Sequence, residues 1–299
     1  MIKIQKYAAI DIGSNAVRLL IMDVIEKEDN TSVKFKKAAL IRVPIRLGED
    51  TFVSGEISEK KIIRLTDAMN AFQLLMSVHG VVKYKACATS AMRDASNGDY
   101  VIDRILKKTG VKIDIIDGKI EAKIIATTDL GELLDSSKSY LYVDVGGGST
   151  EMTIYKKGKI DRSKSFKMGT VRMLNQKDNL KDEWDEMKEW VKKHTEDIKN
   201  ISLIGSGGNI NKIYKMSGRT DGSPLSFIYM KANYKYLKTM SYDERISELN
   251  LNQDRADVII PATKIYLSAM KWSNAKRIYV PKIGLSDGIV KSLYAGIIE

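Results

Sequence analysis

One pattern occurs twice in this chain and limits the folds open to it. An apolar strand ends in an aspartate, an apolar residue and a glycine, and after small polar residues a second strand begins. The first copy is AAIDIGSNAVRLLIMDVI from Ala8 to Ile25, and the second is LYVDVGGGSTEMTIYKKGKI from Leu141 to Ile160. Such self-similarity indicates an internal duplication. It predicts two related domains that face each other.

The remaining segments predict an α/β chain in which strands outnumber a strict strand–helix alternation. In SEKKIIRLTDAMNAFQLLMSVHG, apolar residues recur at helical spacing, with Ser58 as candidate N-cap and Gly80 as candidate stop. We predict an N-terminal domain over residues 1–125 and a C-terminal domain over residues 126–299. The last helix is expected to pack back on the first domain.

Composition narrows the class of protein further. Of 299 residues, 43% are hydrophobic and 29% charged, as in ordinary globular proteins, and no apolar run approaches the roughly 18 residues that a membrane helix needs. The net charge of +11 favours a polyanionic partner. The lysines are spread along the chain, so neither nucleic acid nor a membrane is expected as partner. Cys87, the single cysteine, is expected to be a core residue, and the expected location is cytoplasmic.

Three glycine-rich turns each follow an apolar strand. Glycine lets a backbone approach a phosphate closely and aim successive N–H groups at it. One such turn is more typical of a simple hairpin, but three of them, two in duplicated positions, indicate phosphate binding. The turns are DIGSN (11–15), DVGGGST (144–150) and GSGGN (205–209).

Acidic residues flank two of these turns. Asp11 and Asp144 end strands just before a glycine turn, and Glu151 follows the second turn. A carboxylate there repels phosphate unless a divalent cation lies between them, and Mg²⁺ needs only a few protein oxygens. We expect Asp144, Glu151 and Asp11 to bind a metal ion, although each acid alone is more often a cap or a solvated group.

Two further segments could contribute to such a site. Glu121 begins a helix near the expected domain junction, where it could accept a proton from water, or could simply favour the helix N-terminus. ATSAMRDA places Ser90 and Arg93 where a strand gives way to a helix, a natural seat for phosphate. Arg18 and Arg172 also lie beside glycine turns and are expected to be surface residues or ion-pair partners.

Taken together, these motifs resemble the exopolyphosphatase / guanosine pentaphosphate phosphohydrolase family of the actin and hexokinase superfamily. The match runs from about residue 8 to the end of the chain, and the pairing of DIGSN with DVGGGSTE is specific. The resemblance implies two duplicated actin-like (ribonuclease H-like) domains with a cleft between them. The motifs that carry it are AIDIGSNAVRLLI, ATSAMRDA, IEAKII, VDVGGGSTEM, MGTVRM, GSGGN, RADVIIPA and GLSDGIV.

The resemblance also implies an activity: release of a terminal phosphate from inorganic polyphosphate or guanosine pentaphosphate with Mg²⁺, or with Mn²⁺. Glu121 would orient and deprotonate water, Asp144 and Glu151 would act through the metal ion, and a homodimer is expected. The implied phosphate-binding residues are Gly13, Ser14, Asn15, Ser90, Arg93, Gly146, Gly147, Gly148, Ser149, Gly207 and Gly208.

The chain departs from the family pattern in three respects, one of which is the third loop, GSGGN, where many relatives end in threonine instead of asparagine. Where the family often carries two acids before a helix alanine, this chain reads GKIEA, with Ile120 in place of the first acid and Glu121 as the second. Long relatives carry a C-terminal helical domain that binds extended polymer, and this domain is not expected here. Its absence would affect how the chain binds long polyphosphate. The alternatives are an actin-like sugar kinase or ATPase, and a non-catalytic sensor of an alarmone or polyphosphate.

Overall fold

The computed structural model describes residues 2–27, 33–128, 135, 137–175 and 180–298. Its contacts divide the chain into two compact units. One consists of Met1–Thr128 with Leu285–Glu299, and the other of Asp129–Gly284. Residues 129–134, next to the expected domain junction, lie outside the described residues, and the predicted boundary after residue 125 stays a prediction.

The first unit is built on a five-stranded sheet of order β3-β2-β1-β4-β5. β1 pairs antiparallel with β2 and parallel with β4, and β2 pairs antiparallel with β3. Its strands are β1 (Ile2–Ile12), β2 (Val17–Lys27), β3 (Val33–Val43), β4 (Val81–Ala88) and β5 (Ile113–Ile115). Its helices are α1 (Leu47–Ser54), α2 (Glu59–Val78), α3 (Ser90–Asp94), α4 (Gly98–Thr109), α5 (Gly118–Ala126) and α13 (Leu285–Tyr294).

The second unit is built on a six-stranded sheet of order β10-β11-β9-β6-β7-β8. Its strands are β6 (Ser139–Val145), β7 (Thr150–Lys156), β8 (Lys159–Phe166), β9 (Ser202–Ser206), β10 (Leu225–Ser226) and β11 (Arg277–Tyr279). Its helices are α6 (Thr170–Asn175), α7 (Lys181–Thr195), α8 (Gly208–Met216), α9 (Phe227–Thr239), α10 (Tyr242–Ser247), α11 (Gln253–Ala256) and α12 (Ile259–Trp272).

The two sheets share one topology. In each, three antiparallel strands are followed by a parallel strand beside the first of them: β3-β2-β1-β4 in one unit and β8-β7-β6-β9 in the other. Both predicted hairpins, around DIGSN and DVGGGST, are present as β1–β2 and β6–β7. The predicted mixed α/β class is therefore confirmed.

Alternation along β6 separates a core face from a polar face. Leu141, Val143 and Val145 belong to the buried apolar cluster of the second unit. Successive side chains of a strand point to opposite faces, so Tyr142 and Asp144 lie on the other face. The sheet therefore presents its acidic residue away from the apolar cluster that stabilises it.

Helix α2 begins where the sequence predicts. Ser58 occupies the N-cap position and Gly80, with a positive φ of 69°, follows the last turn. The side chain of Ser58 makes no capping hydrogen bond, and its backbone amide donates to the Asp50 carboxylate at 3.0 Å. Cys87 is buried, as predicted. Among the described residues, every helix is too short or too polar to cross a bilayer.

Candidate phosphate- and metal-binding site

The first glycine turn of the chain is a tight bend closed by its own backbone. The amide of Gly13 donates to the carbonyl oxygen of Ala16 at 3.2 Å. The buried hydroxyl of Ser14 lies 2.9 Å from that of Ser90, which begins α3. The Ser14 carbonyl accepts from the amide of Gly48 at 2.9 Å. The DIGSN turn and the start of α3 were each predicted to bind phosphate, and they are thus side by side in one unit.

Asp11 precedes this turn and forms an ion pair. β1 and β2 place Asp11 opposite Arg18, and Arg18 Nη1 lies 2.7 Å from Asp11 Oδ2. The Asp11 side chain is almost fully buried, so the guanidinium compensates a charge that would be costly alone. The ion-pair role expected of Arg18 is therefore present.

Arg93 lies one turn into α3, where its guanidinium is anchored by backbone. Its Nη1 donates to the carbonyl oxygen of Ile116 at 2.9 Å. The residue is half-buried, which keeps part of the guanidinium accessible. Its predicted contact with phosphate remains a prediction.

Glu121 lies in the first turn of α5, and its orientation is set by a cap. The Asp117 side chain accepts hydrogen bonds from the amides of Lys119 and Ile120 at 2.9 and 2.8 Å. This start phases the helix so that Glu121 is only 7% exposed whereas Ile120 is 42% exposed. The acid that the family often carries at position 120 would point to solvent in this chain, and the acid that is present points inward.

The second glycine turn repeats the geometry of the first. The amide of Gly146 donates to the carbonyl oxygen of Ser149 at 3.0 Å, the same offset from Asp144 that Gly13 and Ala16 have from Asp11. This agreement extends the duplication from the strand order to individual hydrogen bonds.

Helix α6 holds the carbonyl groups of this second turn. The Gly146 carbonyl accepts from the amide of Thr170 at 3.0 Å, and the Gly147 carbonyl accepts from the amides of Val171 and Arg172 at 2.8 and 3.1 Å. Arg172 Nε donates to the Gly148 carbonyl at 2.9 Å. Arg172 is buried, so the surface alternative of its prediction is wrong. Its side chain fixes the loop from inside.

Because the carbonyl groups of the second glycine turn face α6, its amide groups are available to a hydrogen-bond acceptor from a ligand. Among the described residues, the amides of Gly147, Gly148 and Ser149 donate to no hydrogen-bond acceptor. Successive amides with their carbonyls turned away form a concave anion site, or nest. We call residues 147–149 the amide nest.

Two carboxylates lie beside the amide nest. β6 and β7 place Asp144 directly opposite Glu151, so both side chains are on one face of the sheet. The register continues outward on each side. Ser206 Oγ on β9 lies 3.2 Å from Asp144 Oδ2, and Ser165 Oγ on β8 donates to Glu151 Oε1 at 2.9 Å. We call Ser206, Asp144, Glu151 and Ser165 the acid row.

Gly207 and Gly208 continue the chain from the acid row into α8. Gly207 has a φ of 113°, a conformation that side chains rarely adopt, and a Cβ there would lie 3.4 Å from Asp144 Oδ1. The Tyr266 hydroxyl donates to the Ser206 carbonyl, and burial raises the pKa of this hydroxyl well above its usual range. Tyr266 is a buttress that sequence inspection did not single out, because it lies 60 residues beyond the loop it holds.

The two duplicated aspartates differ in the residue that faces them. Asp11 is opposite the cation of Arg18, whereas Asp144 is opposite a second carboxylate, Glu151. Among the described residues, no group of three or more His, Cys, Asp and Glu side chains could hold a metal ion. Two carboxylates abreast fit Mg²⁺, which keeps waters and takes substrate oxygens as its other ligands. The available carboxylates therefore favour the second unit over the first as the place where a metal ion would bind.

Comparison with known proteins shows similarity to phosphatases of one family. The model of the Ppx/GppA phosphatase family matches residues 24–295. A bifunctional 3-dehydroquinate synthase/phosphatase of Fusobacterium nucleatum is 35% identical over 67% of this chain and 32% of its own length. A guanosine-5'-triphosphate,3'-diphosphate pyrophosphatase of Photobacterium profundum is 24% identical over 95% of this chain and 58% of its own length. The chain thus spans a third to three-fifths of these relatives.

The fold is also similar to that of a solved structure. The crystal structure of an exopolyphosphatase from Cytophaga hutchinsonii matches 98% of this chain and 98% of its own, with a TM-score of 0.85 and 25% identity. The predicted actin-like, two-domain fold is thereby confirmed.

Proposed function

The chain belongs to the Ppx/GppA phosphatase family, and from that premise we propose that it hydrolyses the terminal phosphoanhydride of inorganic polyphosphate, of guanosine pentaphosphate, or of both. The observation that carries the proposal is the amide nest lying next to the acid row in one unit. Amide hydrogens bind phosphate oxygens directly. Adjacent carboxylates bind phosphate only through a cation, so the pair together selects a metal–phosphate ligand.

In this proposal, backbone amides bind phosphate and carboxylates bind the metal ion. The amide nest and Gly207 and Gly208 hold phosphate oxygens in place, and Asp144 and Glu151 hold Mg²⁺ or Mn²⁺, which when bound neutralises phosphate charge. Phosphoryl transfer depends chiefly on such positioning and neutralisation. Besides the amide nest (Gly147, Gly148 and Ser149), further phosphate contacts are proposed for Gly13, Ser14, Asn15, Ser90, Arg93 and Gly146.

Glu121 is the proposed general base. A carboxylate accepts a proton only if it is held within hydrogen-bond reach of the attacking water. The Asp117 cap fixes the start of α5, and the inward orientation of Glu121 keeps its carboxylate out of bulk solvent. The exposed position of Ile120 supports the second acid of the family pattern as the base.

Asp11 is proposed near the same metal ion, in a supporting role. Its ion pair with Arg18 supplies one positive charge already, so a cation would have to compete with the guanidinium. The homodimer and the cytoplasmic location expected from the family remain predictions; sedimentation velocity and cell fractionation test them.

A parallel assay tests the proposed activity. The purified chain is incubated with Mg²⁺ and short polyphosphate, long polyphosphate or guanosine pentaphosphate, and orthophosphate is measured. We expect release from at least one substrate and loss of release on chelation of the metal. ATP hydrolysis that a sugar accelerates would support the kinase alternative, and tight binding without release from any substrate would support the sensor.

A further inference from the structure

The last helix of the chain, α13, packs on α5, the helix that carries Glu121. The two backbones meet at Gly288: a Cβ there would lie 2.8 Å from the carbonyl carbon of Ile124 and 2.9 Å from its Cγ2 atom. Non-bonded carbon atoms pack best at about 3.5–4.0 Å, so only glycine permits this approach. The position of α5 therefore depends directly on that of α13.

A pair of hydroxyl groups joins the same two helices one turn further along. Thr127 is the C-cap residue of α5, and its Oγ1 lies 2.9 Å from Ser292 Oγ of α13. The carbonyl oxygens of Ile124 and Gly288 lie 2.7 and 3.2 Å from the same threonine oxygen. Ser292 is fully buried, so water cannot replace a partner that its hydroxyl loses. The pair holds the end of α5 against α13.

These contacts also fix the direction of the two helices. Ile124 meets Gly288. Three residues later along α5, Thr127 meets Ser292, which is four residues later along α13. The helices therefore run in the same direction. Glu121 is one turn before Ile124 and on the same side of α5, so it lies abreast of the first turn of α13. The N-terminal end of a helix favours a nearby negative charge, which suits a carboxylate in this place.

Helix α13 is itself anchored on the first sheet at both of its ends. In its first turn, Asp287 Oδ1 lies 2.7 Å from Lys37 Nζ of β3, so the buried charge of this aspartate is compensated. In its last turn, the Tyr294 hydroxyl donates to the Glu26 carboxylate of β2 at 2.6 Å. The Tyr294 ring meets that of Phe35 edge to face, with centroids 5.5 Å apart. The sheet thus holds α13, and α13 holds α5.

We propose that α13 positions the general base, and that Gly288 and the Thr127 hydroxyl set where the Glu121 carboxylate lies. The inference rests on the proposed function, which makes Glu121 the base. The Asp117 cap fixes where α5 starts, whereas the contacts with α13 fix how far the helix lies from the rest of the unit. A base must stay within hydrogen-bond reach of its water, and a misplacement of about 1 Å can lower the rate about 10²-fold.

Turnover of matched threonine variants tests this proposal. The reaction contains Mg²⁺ and polyphosphate or guanosine pentaphosphate, whichever the unaltered chain hydrolyses. We expect Thr127→Val to lower kcat about tenfold with KM within about twofold, and Thr127→Ser, which keeps the hydroxyl, to restore most of the rate. Thr66→Val is the control, because it removes an equally buried hydroxyl that bonds the Ile62 carbonyl of α2 at 2.8 Å. Its kcat should match that of the unaltered chain.

A double variant shows whether the effect passes through the base. In a Glu121→Gln background, Thr127→Val should lower the residual kcat by less than about twofold, because there is no carboxylate left to misplace. A tenfold loss in both backgrounds, or an equal loss in Thr66→Val, would overturn the inference. Gly288→Ala should lose more activity than Thr127→Val, and the threonine variants decide the question even where Gly288→Ala does not fold.

A labelling measurement keeps the test independent of turnover. In Glu121→Cys, the rate at which iodoacetamide modifies the thiol at position 121 is followed by peptide mass spectrometry, which distinguishes it from Cys87. We expect Thr127→Val to raise this rate about fivefold, because one lost hydrogen bond loosens α5 locally, and Thr66→Val to leave it unchanged. Equal rates with and without the Thr127 hydroxyl would overturn the inference. No phosphate release by the unaltered chain, together with the expected labelling, would remove the proposed function and leave the hold of α13 on position 121 standing.

Discussion

Gly169 fixes how closely α6 approaches the amide nest. A Cβ at this position would lie 2.5 Å from the carbonyl carbon of Gly147, and backbone atoms cannot move aside as a flexible side chain can. Only glycine permits the approach that turns the loop carbonyls toward α6. The amides of the nest are available to phosphate for that reason.

Replacing Gly169 with alanine should therefore damage phosphate binding. We expect Gly169→Ala to lower the free energy of unfolding by about 1–3 kcal/mol through overpacking and to raise the Kd for pyrophosphate. Chemical denaturation and calorimetry measure the two effects. Lys167→Ala, on an exposed residue of the same segment, is the control and should change neither. Unchanged phosphate affinity in a folded Gly169→Ala variant would show that α6 does not shape the nest.

Cys87 permits a separate test of the packing of β4 in the first sheet. Burial raises the pKa of its thiol to about 12, and the lysine at position 85 opposes this only in part. The thiol gives up its proton well above its ordinary range, so in the native chain the reactive thiolate is scarce at pH 8 and increases only as the pH approaches 12.

We expect iodoacetamide to leave Cys87 unmodified at pH 8 in the native chain and to modify it fully in denaturant, as read by mass spectrometry. Because the unfolded thiol titrates at lower pH than the folded one, this group also reduces stability as pH rises above the unfolded pKa. Rapid stoichiometric labelling of the native chain at pH 8 would show that β4 is not packed as described.

The register of neighbouring strands creates the acid row. Four of the six strands of the second sheet contribute one residue each: Ser206 from β9, Asp144 from β6, Glu151 from β7 and Ser165 from β8. A slip of one residue would send a side chain to the opposite face. The flanking hydroxyls orient the two carboxylates, so in the proposed metal site the serines would affect the affinity for the metal ion.

Removing one of these hydroxyls should weaken metal binding without unfolding the unit. We expect Ser165→Ala to raise the Kd for Mn²⁺ about tenfold, the usual loss when a group that orients a metal ligand is removed. Electron paramagnetic resonance of free Mn²⁺ measures it independently of activity. Ser163→Ala is the control, since that hydroxyl bonds Thr153 instead. Equal Mn²⁺ affinities in both variants would contradict the role given to Ser165.

Sequence patterns predicted the hairpins and α2 because each depends on local signals: alternation of apolar residues, glycine turns and a cap position. The clamp of α6 on the nest was not predicted. Nothing in the composition of MGTVRM shows that its amides face the carbonyls of residues 146 and 147, so this segment contributes only to the family resemblance. The Tyr266 contact was missed because Tyr266 lies 60 residues beyond the loop it holds. The pairing of Ser165 with Glu151 was missed because strand register decides it.

For the whole molecule, the net charge of +11 supports a polyanionic ligand without identifying it. Lysines spread over the surface attract a long polyanion at range, and salt screens this attraction. We expect the KM for long polyphosphate to rise steeply between 0.05 and 0.3 M salt, roughly an order of magnitude, and that for tripolyphosphate to rise much less. Equal salt dependence for the two substrates would show that binding is confined to the site itself.

In the proposed reaction, Glu121 deprotonates the water that attacks the terminal phosphate. The direct test measures turnover and binding together in Glu121→Gln, with Glu189→Gln, an exposed residue of α7, as the matched control. We predict that phosphate release in Glu121→Gln falls by a factor of about 10²–10⁴ while the substrate Kd stays within about twofold, and that the control matches the unaltered chain. Undiminished turnover in Glu121→Gln would contradict it.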